Sequence, residues 1–289
     1  MFMEKSGQII FSNGNGGLPK IQVHTPVSDA EIYLQGAHVT HFQRKNEEPV
    51  LFLSGSSRFE TGQPIRGGVP IIFPWFGARE GKPMHGFGRN HAWKLQQIST
   101  NPDQSITLQF QFPLPAEAVE FSKFSAKYFV TVGKSLALEL QVANEASENL
   151  TLEDCLHTYF TVGEISAVTV SGLKGGEYLD KVEGFARKME TAEQISFSGE
   201  TDRVYLSTTA TTEIRDTKLR RCIIVEKTGS NSTVVWNPWI AKAKAMADFG
   251  DEEYLRMVCV ESGNVSENKL VLAPGKMSLL KVKLSTATL

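Results

Sequence analysis

The chain has 289 residues, a formal charge of −2 at neutral pH, 21% charged residues and 41% hydrophobic ones. This composition excludes a disordered or fibrous chain and supplies enough apolar material for a substantial core. With charge so nearly balanced, neither nucleic acid nor an anionic membrane is an expected partner, and any bound anion must be met by a few locally placed cations.

In chain order the sequence reads as short alternating runs. The start, "MFMEKSGQIIF", has no signal-type apolar stretch, and no later run approaches membrane-spanning length, so a cytoplasmic protein is expected. "GNGGLPK" has too few correctly spaced glycines for a nucleotide fingerprint and no helical pattern after it, which predicts a plain turn. Strands are predicted in "AEIYLQGAHVTHF", "SITLQFQF", "KYFVTV", "LALELQV", "AVTVSGL", "RVYLST", "RCIIVEK", "TVVWN", "YLRMVCVES" and "LLKVKL". In "SITLQFQF", Ile106, Leu108, Phe110 and Phe112 share one face while Thr107, Gln109 and Gln111 share the other, the period of two that marks a half-buried strand. Only "EAVEFSK" and "IAKAKAMADFG" read as short helices, and turn clusters such as "TNPDQS" and "NEASEN" separate the strands. The class predicted is all-β, a large antiparallel sandwich. No linker or composition shift divides the chain, so residues 1–289 are expected to form one domain.

Residues 65–90, "IRGGVPIIFPWFGAREGKPMHGFGRN", concentrate Pro70, Pro74 and Pro83 with several glycines around Arg66, His85 and Arg89. Proline presets φ and glycine permits close backbone approach, so this is a loop whose shape is fixed. In "EDCLHTYF" the alternation puts Glu153, Cys155, His157 and Tyr159 on one side. His157 therefore has polar company, though a structural histidine fits the pattern equally. In "LRMVCVESGN", Val258 and Val260 fill one face and Met257, Cys259 and Glu261 the other, as in a central strand buried on both sides. A carboxylate ending an apolar face is either desolvated, with its pKa raised toward that of a useful general base, or turned out to solvent. His38 and His41 are three apart in a strand and make a poor metal pair, and Cys155, Cys222 and Cys259 have neither disulfide nor ligand spacing; no metal is expected. Trp236 and Trp239 flank the rigid Asn237–Pro238 step, where an aromatic wall would suit the apolar face of a sugar.

Taken in order, "RGGVPIIFPWFG", "HGFGRNHAW", "CLHTYF", "TDRVY", "WNPW" and "VCVESGNV" resemble the aldose 1-epimerase superfamily, and within it the hexose-6-phosphate mutarotases. The resemblance runs over nearly the whole chain. It implies a galactose mutarotase-like β-supersandwich that interconverts the α and β anomers of an aldohexose 6-phosphate without any cofactor, as a monomer. It also implies that His157 is the general acid and Glu261 the general base, that Arg66 and Arg89 supply cationic contacts, that His85 touches the sugar and that Asp202 fixes hydroxyls. Met84 departs from the polar residue, often Gln, that such proteins carry before the histidine. Two other functions fit the same fold: a mutarotase for unphosphorylated aldoses, which would not need the arginines, and a noncatalytic sugar-binding sandwich, which would not need a matched acid and base.

Overall fold

The computed structural model describes residues 7–115 and 123–289. Its architecture is two large antiparallel sheets sharing one core. The first runs in the order Gln194–Ser196, Val168–Ser171, Thr212–Asp216, Arg221–Thr228, Met277–Thr288, Leu136–Asn144, Phe124–Val132, Ile106–Gln111 and Lys94–Thr100. The second runs Ala186–Met189, Glu177–Asp180, Thr201–Tyr205, Ser232–Asn237, Met257–Asn264, Asp154–Leu156 and Ile71–Ile72, with Tyr159–Thr161 also paired to Met257–Asn264. A meander of Gln8–Asn13, Pro19–His24, Ser28–Tyr33 and His38–Arg44 and a small pair, Leu150–Leu152 with Leu270–Leu272, complete the strands.

Period-two patterning explains how the sheets meet. Ile106–Gln111 alternates buried and half-buried along its whole length, as its sequence predicts. Leu108, Phe110, Val130, Leu138, Ile223 and Val282 of the first sheet join Leu156, Tyr205, Val235, Val258 and Val260 of the second in a single buried cluster. The strand Met257–Asn264 is buried at every position, so its other face must be covered too. There Met257 and Cys259 pack with Tyr159, Trp236, Phe249 and Ala243.

The helix expected from "IAKAKAMADFG" is present as the single α-helix of the described residues, Trp239–Ala245. The one expected from "EAVEFSK" lies outside the described residues apart from Lys123. "GNGGLPK" forms a short 3-10 turn and enters a strand. "EDCLHTYF" is not one continuous strand. It breaks at His157 and Thr158 between two three-residue strands, where the Thr158 amide donates back to the Leu156 carbonyl. No helix among the described residues is long and apolar enough to cross a membrane.

Candidate active site

The second sheet gathers distant residues onto the face turned away from the shared core. Directly paired residues of antiparallel strands share a face, and Tyr159 pairs with Cys259, Cys259 with Trp236, and Trp236 with Asp202. Glu261 stands two residues beyond Cys259 and so projects from the same face. The loop 65–90 is fastened beside this row, because Ile71 and Ile72 pair with Leu156 and Cys155 and the His157 amide donates to the Pro70 carbonyl at 3.0 Å. Glycine is required where the loop packs tightest: a Cβ on Gly68 would meet the Val39 carbonyl at 2.3 Å and one on Gly86 the Phe73 carbonyl at 2.1 Å, both at positive φ. The rigidity expected of this segment thus has a physical cause.

The result is a cavity of about 440 Å³ lined by all seven residues singled out in the sequence: Arg66, His85, Arg89, His157, Asp202, Trp236 and Glu261. On its floor His157 Nε2 lies 3.3 Å from Glu261 Oε1, with Glu261 1% and His157 7% exposed. Glu261 Oε2 accepts a long hydrogen bond from the Cys155 thiol at 3.5 Å. The imidazole stacks on Tyr159, with ring centroids 4.7 Å apart, and meets Trp236 edge-on. Burial, reinforced by the negative charge of Asp202, pushes the Glu261 carboxyl well above its ordinary range. Burial, with His85, Arg89 and Arg66 nearby, holds His157 well below its own. Both directions favour a carboxyl and a neutral imidazole sharing one proton over a fixed ion pair.

The two arginines are not equivalent. Arg66 is spent on Asp248, donating from Nε at 3.2 Å and from Nη2 at 3.1 Å to Oδ2, and it also donates to the Tyr159 hydroxyl at 3.0 Å. Arg89, 6% exposed, donates through Nη2 to the Met84 carbonyl at 2.9 Å, while its Nε is buried without a partner. Burial and the charge of Arg66 lower its pKa to about 10, only partly opposed by Tyr159, Asp248 and Glu261. His85 accepts at Nδ1 from the Gly77 amide at 3.1 Å, which puts its proton on Nε2, and burial keeps it neutral. Asp202 is held by Lys181 at 3.0 Å.

Sequence reasoning missed Lys181, Phe76 and Phe185, which sit in no periodic pattern, and Met246 and Asp248, which fall in the expected helix "IAKAKAMADFG" without a role; Tyr159 likewise had a face but no role. The fold also assembles a ligand set that spacing had not suggested, since ligand atoms of His157, Cys259 and Glu261 lie within 4.8 Å of one another. His38 and His41 do not face apart as expected: a register shift at Thr40 pairs them with Tyr33 and Glu31, which share a face, while His38 is buried with Nε2 2.7 Å from the Gly67 carbonyl and His41 is half-buried.

Among known proteins, the family described as aldose 1-epimerase matches residues 19–285. A provisionally named glucose-6-phosphate 1-epimerase of Cenchrus ciliaris is 37% identical over 257 residues, 86% of this chain and 78% of its own. One of the same provisional name from Escherichia coli is 37% identical over 258 residues, covering 88% and 86%. The crystal structure of a provisionally named mutarotase from Salmonella typhimurium superposes with a TM-score of 0.87 at 34% identity, covering 94% of this chain and 91% of that one.

Proposed function

Because the chain belongs to the aldose 1-epimerase family, we propose that it is a hexose-6-phosphate mutarotase, with glucose 6-phosphate as a substrate and His157 and Glu261 as its acid and base. The observation that carries this reading is the pairing of a buried imidazole and carboxyl at 3.3 Å in a cavity that also holds the Arg89 guanidinium, buried with its Nε unpartnered. The relatives' names supply the substrate, and Arg89 supplies a reason for the phosphate.

Ring opening needs two proton transfers. Glu261 takes the proton of the anomeric hydroxyl while His157 gives one to the ring oxygen, and the C1–O5 bond breaks to leave the free aldehyde. After rotation about C1–C2, neutral His157 takes the proton of the O5 hydroxyl as it attacks C1, and Glu261 returns its proton to O1. The pair begins as carboxylate and imidazolium, becomes carboxyl and imidazole at the open chain, and ends as it began. These two forms differ by one proton moved across the 3.3 Å contact. Burial favours the second, so the unliganded site is poised in the form that accompanies the aldehyde. Arg89 and Arg66 are among the groups that depress His157. A phosphate dianion on Arg89 offsets their charge and raises the share of imidazolium that opening requires.

His85 presents an Nε2 donor to the sugar, Asp202 accepts from its hydroxyls, and Trp236 walls one side. Three buried, unpaired cysteines support a reducing, cytoplasmic setting, and we assign catalysis to the whole chain as one domain, acting as a monomer. Anomer-resolved NMR on free and phosphorylated aldohexoses tests the reading: acceleration of phosphorylated sugars is expected, and none on any aldose would overturn it.

A further inference from the structure

We propose that His157, Cys259 and Glu261 form a site for a single thiophilic divalent cation such as Zn²⁺, which occupies the acid–base pair and switches the protein off. Zinc takes imidazole nitrogen, thiolate sulfur and carboxylate oxygen at about 2.0 to 2.3 Å in a tetrahedron. Those bonds set ligand–ligand edges of roughly 3.3 Å between nitrogen and oxygen and roughly 3.6 Å between sulfur and either. His157 Nε2 and Glu261 Oε1 already stand 3.3 Å apart. The Cys259 sulfur lies within 4.8 Å of a ring nitrogen of His157 and a carboxylate oxygen of Glu261, so closing the third corner takes side-chain adjustment on the order of 1 Å. His157 and Glu261 line the cavity, from which water or an anion would complete the shell.

The surroundings suit such a cation. Cys259 is wholly buried among Tyr159, Trp236, Met257 and Phe249, a dry apolar wall that excludes competing water. The second oxygen of Glu261 is held by the Cys155 thiol, which leaves the first free to turn to the metal. Arg89, Arg66 and Lys181 line the same cavity and would repel an added charge. Coordination, however, exchanges the thiol proton and the carboxyl proton for the cation, so the net charge facing them is unchanged. The cation would sit where the anomeric carbon is proposed to react, so zinc and sugar phosphate would exclude each other.

Dialysed full-length protein, titrated with Zn²⁺ against a chromophoric chelator, should take up one equivalent. With Co²⁺ it should show a thiolate-to-cobalt charge-transfer band. Cys259→Ala should abolish the band, and the near-isosteric Cys259→Ser should weaken zinc at least about tenfold, since even outer-shell changes cost that much. Cys222→Ser, on the other sheet, should bind as wild type. Absence of stoichiometric uptake, or unchanged zinc affinity in folded Cys259→Ala and Cys259→Ser, would overturn the site. The inhibitory consequence rests on the proposed acid–base roles, and the two can fail separately. Zinc held through Cys259 in a chain that anomerises no sugar would sink the functional reading alone. A chain that anomerises glucose 6-phosphate, takes up no zinc and is not slowed by it would sink only the site.

Discussion

Arg89→Met removes the buried guanidinium while keeping an unbranched stem as far as the position of Nε, so most of the packing under the loop around Met84 is retained. A charged hydrogen bond to phosphate contributes about 1.5 to 3 kcal/mol, and at 1.4 kcal/mol per decade this is roughly a ten- to hundredfold loss of kcat/KM on glucose 6-phosphate. Glucose lacks the group that Arg89 would meet, so its rate should change by less than about threefold, a shift of at most about 0.7 kcal/mol. The free protein should melt near the wild-type temperature, because losing the bond to the Met84 carbonyl is offset by no longer burying a guanidinium whose Nε has no partner. Arg66→Ala provides the contrast. It strands Asp248 and the Tyr159 hydroxyl, which should lower stability by about 1 to 3 kcal/mol and slow both sugars together. Rates are read by magnetisation exchange between α and β anomers, alongside melting curves. Equal losses on the two sugars in Arg89→Met would refute the phosphate contact, and a fall confined to KM would refute the proposed effect of phosphate on the proton balance of His157.

Glu261→Gln and His157→Asn should each lose about 10²- to 10⁴-fold in kcat with the fold intact; near-normal rates in either would remove the assignment. The working form carries one proton on the pair, so kcat/KM should be bell-shaped in pH, with macroscopic limbs that belong to both groups. Because burial depresses His157 and raises Glu261, the acid limb should fall below the ordinary imidazole range and the basic limb above the ordinary carboxylate range; an acid limb at the usual histidine value would contradict this. Asp154 offers a test of stability. Its carboxyl is wholly buried, with Oδ1 accepting from Asn264 and Oδ2 unpartnered, and burial pushes its pKa up to about 7. A raised acid favours the fold fully below the unfolded carboxylate value of about 3.9 and loses that contribution as pH rises through about 7. Asp154→Asn should therefore gain melting temperature relative to wild type on the alkaline side, and a difference that is constant from acid to alkaline pH would show that Asp154 does not titrate there.

Much of this was legible because it is written in a period of two. The alternation of Ile106 to Phe112 and the two-faced burial of Met257 to Asn264 follow from strand geometry alone, and the latter put Glu261 on the face that carries Cys259. The difference between Arg66 and Arg89 was not legible. It depends on Asp248, which is 182 residues from Arg66 in sequence and lies just past the end of the helix at Ala245, where nothing in the pattern points it at the loop. The break at His157 was hidden because Glu153, Cys155, His157 and Tyr159 stand two apart as they would in one continuous strand, and no proline or glycine marks the interruption. The grouping of His157, Cys259 and Glu261 likewise needs two strands in register, which no spacing within one segment encodes.

The strand Met257–Asn264 carries Glu261 on one face while Val258 and Val260 on the other belong to the main core; Glu261 itself pairs with Val234 on one edge, and the other edge is paired on either side of the break at His157 and Thr158. The amide of Glu261 can then exchange with solvent deuterium only when the whole sandwich opens, not through a local excursion. Heat or denaturant should accordingly abolish turnover and amide protection at the same midpoint. The loop 65–90 is tied into the same body, with Gly67, Val69, Ile71 and Ile72 paired to neighbouring backbone and Phe73, Trp75 and Phe87 in the main core, so sugar binding should be lost at that midpoint as well.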